Sequence, residues 1–106
     1  MVQGVVGDTG AKLEARRYFV SGVVQGVGFR YFARGAAQRA GVVGYAKNLS
    51  DGRVEVYAIG PPQSLAGLRT ELERGPRFAS VSDVAEENAA VDSQYSDSFS
   101  IEHDAW

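Results

Sequence analysis

At 106 residues, 44% hydrophobic and 23% charged, the chain has the size and composition of one compact globular domain, with no room for a second. The absence of cysteine excludes a disulfide framework, a thiolate metal site and a cysteine nucleophile, and the single His103 limits metal chemistry further. Net charge is −2, with 8 Lys and Arg against 3 Asp and Glu as far as Arg53 and 3 against 10 beyond it; that acidity speaks against a sequence-independent nucleic-acid binder.

Residues Met1 to Glu14 are small, polar and glycine-bearing, without a usable period. They are expected to form a flexible extension, with the domain proper spanning residues 15–103. Met1-Val2-Gln3-Gly4 lacks the basic start and apolar core of a signal peptide, and no apolar run reaches about 18 residues, so a cytoplasmic protein without membrane association is expected.

Tyr18-Phe19-Val20-Ser21 mixes aromatic and β-branched residues and predicts a first strand, with Tyr18 and Val20 facing the core. A glycine-rich stretch follows, Gly22 to Gly28, and then the period changes. Phe29, Phe32, Ala33, Ala36, Ala37 and Ala40 form one helical stripe, with Arg34, Gln38 and Arg39 off it and Gly41 as the stop. The spacing predicts a helix over Phe29 to Ala40, with Phe29 and Phe32 in the core. Val42 to Leu49 reads as a second strand, Ser50-Asp51-Gly52 as a hairpin turn, and Val54 to Ile59 as a third strand with Val54, Val56 and Ala58 on one face. Gly60-Pro61-Pro62 ends that strand. Leu65, Leu68 and Leu72 mark a second helix that stops at Gly75-Pro76. Val81 and Val84 suggest a fourth strand although their spacing does not alternate. Asn88 to Ser98 is polar and is expected to be a loop, and Phe99 and Ile101 form a short final strand. The order β-α-β-β-α-β predicts an α+β, ferredoxin-like sandwich: an antiparallel sheet with both helices on one face.

The stretch Gly22 to Arg30 carries the chemistry. Its glycines reach backbone conformations that crowd N–H groups around a guest, and the helix start adds further donors at the positive end of the helix dipole. Arg30 supplies a planar fork suited to an oxyanion. The local reading is an anion cradle with phosphate as its guest. Gly22 and Gly44 are expected to serve backbone packing only.

At Val24-Gln25-Gly26-Val27-Gly28-Phe29-Arg30, and again at Gly44-Tyr45-Ala46-Lys47-Asn48-Leu49-Ser50-Asp51-Gly52-Arg53-Val54, the chain resembles the acylphosphatases. The resemblance covers about Ala15 to Ile101 and implies a small metal-free hydrolase of acyl phosphates. It implies catalytic roles for Arg30, which binds phosphate, and Asn48, which positions water. The phosphate-binding residues it implies are Gln25, Gly26, Val27, Gly28, Phe29 and Arg30, mostly through their amides. No cofactor and no metal are expected; the partner is a small acyl phosphate, and the chain is expected to be a monomer.

The chemistry agrees with that implication. An acyl phosphate expels a carboxylate whose conjugate acid has a pKa of about 4, so it leaves at neutral pH without a general acid. Phosphoryl transfer through a loose transition state needs mainly positioning and charge stabilisation. Backbone amides, one arginine and one carboxamide can supply both. Asn48 does not titrate in this range and cannot be a base. Two other readings keep the cradle: a non-catalytic module that binds a phosphorylated ligand, and an excised N-terminal domain of a carbamoyl-transferring maturation protein. RNA binding is not expected, because the third strand reads Arg53-Val54-Glu55-Val56-Tyr57, with a carboxylate near its only aromatic.

Overall fold

The computed structural model describes residues 12–102; His103, Trp106 and most of the expected extension lie outside them. Where apolar residues alternate, strands form: β1 (Glu14–Val23), β2 (Val43–Asn48), β3 (Val54–Gly60), β4 (Ser80–Ala89) and β5 (Phe99–Ile101). Where they recur every three or four residues, helices form: α1 (Phe29–Ala40) and α2 (Pro62–Arg74). A 3-10 turn over Ser93–Tyr95 precedes β5. The first strand, expected over Tyr18 to Ser21, runs from Glu14 to Val23, and Glu14 pairs with Gly60 one residue ahead of the expected domain start.

α1 spans the residues that its periodicity marks. Its end is a Schellman stop: Gly41 takes φ 74°, and the Val42 N–H donates to the Ala37 carbonyl at 3.0 Å. α2 opens with Pro62 at its first position, where no N–H is required, and closes as the Gly75 N–H donates to Glu71 at 2.9 Å.

The five strands lie in the order β4-β1-β3-β2-β5. All pairings are antiparallel except β2 with β5, which is parallel. Both helices cover one face. Ala33, Ala36, Ala37, Leu65, Leu68 and Leu72 join Tyr18, Val20, Val54, Val56 and Ala58 in a single core. Phe29 is buried there and Phe32 packs against it. The other face is not bare. Ala15, Tyr45, Tyr57 and Ile59 form a second, smaller core, and Tyr95 closes over it with its ring 5.0 Å from that of Tyr45. Glu55 is buried among them, accepting from Arg17 Nε at 2.9 Å and the Tyr45 hydroxyl at 2.6 Å. Burial, followed by the bond to Glu55, pushes the Tyr45 hydroxyl well above its ordinary pKa.

The topology has one consequence for function. β1 and β2 both run antiparallel to β3, so their C-terminal ends emerge at the same end of the sheet. Val54, the first residue of β3, pairs with Val20 on one side and Asn48 on the other. The glycine-rich loop after β1 and the side chain of Asn48 are thereby brought to the same end, about two strand spacings, or roughly 10 Å, apart in the plane of the sheet.

Candidate active site at the glycine loop

The loop Val24 to Gly28 joins β1 to α1. Gly26 and Gly28 take φ of 76° and 78°, and a Cβ at either would meet nothing within 4 Å. The left-handed conformation, rather than lack of space, requires glycine at these two positions. Gly28 is the N-cap of α1 and offers no side-chain cap. The helical ladder opens with the Phe32 N–H donating to the Gly28 carbonyl at 3.0 Å. The amides of Phe29, Arg30 and Tyr31 therefore lie ahead of the ladder, at the positive end of the helix. The first turn holds no acidic residue that would compete for them.

A cavity of about 110 Å³ lies against this turn. At about 30 Å³ per water molecule it holds several waters' worth of space, room for a small oxyanion with a water beside it. Gly26, Gly28, Phe29 and Arg30 line one side and Asn48 the other, with Val24 and Tyr31 completing the wall. Among the described residues that line it, Arg30 supplies the only formal charge. Arg30 is half-buried, and its Nη1 donates to the Glu102 carbonyl at 3.0 Å. That bond anchors the guanidinium, a planar group of five N–H donors, at the cavity wall.

Asn48 is the last residue of β2, and the hairpin beyond it is tightly made. The Leu49 N–H donates to the Arg53 carbonyl at 2.8 Å and the Gly52 N–H to the Leu49 carbonyl at 3.1 Å. Asp51 accepts from the Arg53 backbone N–H and from its guanidinium. Chiefly through that backbone bond, the Asp51 carboxyl is held below its ordinary pKa.

Of the residues expected in the site, Gly26, Gly28, Phe29, Arg30 and Asn48 line one cavity, whereas Gln25 and Val27 do not. Val27 packs against the main core. The Gln25 carboxamide turns to the hairpin, its Nε2 donating to the carbonyls of Leu49 at 2.8 Å and Arg53 at 2.9 Å. Sequence reasoning missed Tyr31 and Glu102. Tyr31 is 61% exposed at the cavity wall, with the Arg34 guanidinium 5.3 Å above its ring; an aromatic directly after Arg30 was the available signal. Glu102 contributes a backbone carbonyl, which no residue type announces.

A larger hollow of about 430 Å³ lies on the opposite face, lined by Arg17, Tyr45, Tyr57 and Tyr95 among others. Its polar groups are engaged with one another: the Tyr57 hydroxyl donates to the Ala90 carbonyl at 2.6 Å, and Arg17 pairs with Glu55. The chemistry-bearing residues converge on the smaller cavity.

A family model described as acylphosphatase matches residues 16–101. An acylphosphatase of Solibacter usitatus (strain Ellin6076) is 56% identical over 88 residues, covering 83% of this chain and 90% of that protein. The crystal structure of acylphosphatase from Bacillus subtilis superposes with a TM-score of 0.78 at 37% identity, covering 85% of this chain and 98% of the other. The same fold recurs inside a larger protein: full-length HypF, in its phosphate- and nucleotide-bound form, matches with a TM-score of 0.79 at 25% identity, over 88% of this chain and 12% of that one.

Proposed function

From the premise that the chain belongs to the acylphosphatase family, enzymes that hydrolyse acyl phosphates, we propose that Arg30 and the loop amides hold the phosphoryl group while Asn48 aims the attacking water. The observation that carries this reading is the single cavity lined by Gly26, Gly28, Arg30 and Asn48. The amides at the start of α1 and the Arg30 guanidinium offset charge on the equatorial oxygens. The Asn48 carboxamide accepts a hydrogen bond from water through its oxygen and donates through its nitrogen, directing one lone pair at phosphorus. The new P–O bond forms as the bond to the acyl oxygen breaks, and that electron pair leaves on the carboxylate. With no titratable base assigned, the water's proton goes to a phosphoryl oxygen. The small cavity suits the phosphoryl group and its water, and leaves the acyl group to lie outward past Tyr31.

The test compares turnover of benzoyl phosphate with inhibition by inorganic phosphate. Turnover should persist in the presence of a chelator. Arg30→Ala should raise the phosphate inhibition constant at least tenfold. Asn48→Ala should leave that constant within about twofold while kcat falls by roughly 10²–10³, the usual cost of removing one oriented polar group from such a site. Full turnover in Asn48→Ala would sink the water-aiming role. Phosphate binding without any turnover in the parent protein would favour a binding module instead.

A further inference from the structure

We propose that the side chain of Gln25 is a positioning residue that sets the distance between the phosphate loop and Asn48, an inference that rests on the water-aiming role of Asn48. The need for such a group follows from the sheet order. β3 lies between β1 and β2, so no ladder hydrogen bond ties the loop after β1 to the end of β2. Gln25 spans that gap. Its Nε2 donates at 2.8 Å to the carbonyl of Leu49, the residue next to Asn48, and at 2.9 Å to the carbonyl of Arg53. Those two carbonyls flank the mouth of the hairpin, where Leu49 and Arg53 are themselves bonded at 2.8 Å.

Carboxamide chemistry fits this task. One –NH₂ carries two hydrogens and donates to both carbonyls at once. A carboxylate at the same place has no hydrogen to give and would repel both oxygens, and an apolar side chain would leave each oxygen only its hairpin partner, the Gly52 N–H for Leu49 and the Leu49 N–H for Arg53. Gln25 does not line the cavity, so its side chain acts on the reaction only through where it holds the hairpin. The left-handed turns of the loop lie at Gly26 and Gly28, which reach that conformation without side-chain strain.

Three variants test this with benzoyl phosphate as substrate and inorganic phosphate as inhibitor. Gln25→Met keeps the length and removes the donors; kcat should fall about tenfold or more, with the phosphate inhibition constant within about twofold of the parent's. In Gln25→Glu, kcat at pH 7 should be at least as low. It should recover relative to the parent as pH falls toward the carboxyl pKa, ordinarily about 4.3 and raised here by the facing carbonyls, because the protonated acid regains one donor. Gln25→Met combined with Asn48→Ala should be no slower than Asn48→Ala alone, since both changes disable the same group.

A general loss of structure would behave otherwise: inhibition constant and kcat would fail together, and the Glu variant would show no acid recovery. Either pattern overturns the proposal, as does a parent-like kcat in Gln25→Met. If the Met variant does not fold, the acid recovery of Gln25→Glu still decides. Asn48→Ala run alongside separates the two failures. Full turnover there removes the water-aiming role itself, whereas lost turnover there with normal Gln25 variants removes only the bridge.

Discussion

Two glycines of this chain are required for opposite reasons, and the difference sets what each substitution should cost. At Gly44, φ is 142° and a Cβ would stand 1.8 Å from the Tyr57 carbonyl oxygen, which the pairing of β2 with β3 holds in place. Backbone cannot step aside without breaking the ladder, so Gly44→Ala should destabilise by about 3 kcal/mol or more. A urea midpoint that drops with unchanged slope would show it. At Gly26 there is open space, so Gly26→Ala meets only the left-handed strain of about 1–2 kcal/mol, and its larger effect should be on phosphate inhibition. Equal losses of stability in the two variants would contradict this division. The expectation that Gly22 and Gly44 serve backbone packing holds for both, since a Cβ at Gly22 would lie 2.1 Å from the Ser80 carbonyl oxygen. Residue types with restricted uses were legible in the sequence: glycines before a helix, an arginine in its first turn, an asparagine at a strand end. The Glu102 carbonyl beneath Arg30 and the turn of the Gln25 side chain toward the hairpin were not, because backbone acceptors carry no sequence signature.

Elements were legible in proportion to how much of their apolar pattern one core dictates. α1 has a stripe facing a single sheet, and its limits match the residues from Phe29 to Ala40. α2 exposes its logic in three leucines, all buried. Leu68 is wholly inaccessible, so Leu68→Ala should cost about 2–5 kcal/mol and lower the melting temperature by roughly ten degrees or more. A shift of under three degrees would mean that the helix collapses onto the gap. β4 resisted reading for a local reason. Its pairing with β1 slips between Ser21 and Gly22, so that Asp83 and Val81 face consecutive residues and Ser82 is the extra one. This bulge turns Val81 and Val84, three apart, toward the same core. The polar stretch from Asn88 to Ser98 is likewise more ordered than expected. Asn88 and Ala89 complete β4, Asp92 accepts from the Gln94 N–H to cap the 3-10 turn, and Tyr95 packs on the rear face. Local caps and one aromatic hold it, and neither produces a period.

On the scale of the whole molecule, the two faces of the sheet differ in what they bury, and tyrosines on both sides couple stability to alkaline pH. Tyr18 sits under α2 with its hydroxyl donating to the Leu65 carbonyl at 3.1 Å, and burial pushes it up to about 12. Tyr45 on the opposite face is raised as well, by burial and then by Glu55. Below pH 10 the folded and unfolded chains both keep the Tyr18 proton, and its contribution does not vary. Between about 10 and 12 the unfolded chain has released that proton while the folded one retains it. The unfolded state then binds fewer protons, and stability falls as pH rises. Tyr18, only 1% exposed, should account for about 2–3 kcal/mol of that loss, a large part of the 5–15 kcal/mol typical of a domain. Urea unfolding at pH 8, 9, 10 and 11 would trace the decline. Tyr18→Phe should start about 1 kcal/mol lower at pH 8, for the hydrogen bond removed, and then decline less steeply than the parent. Parallel curves for the two proteins would place the alkaline sensitivity elsewhere than in the core beneath α2.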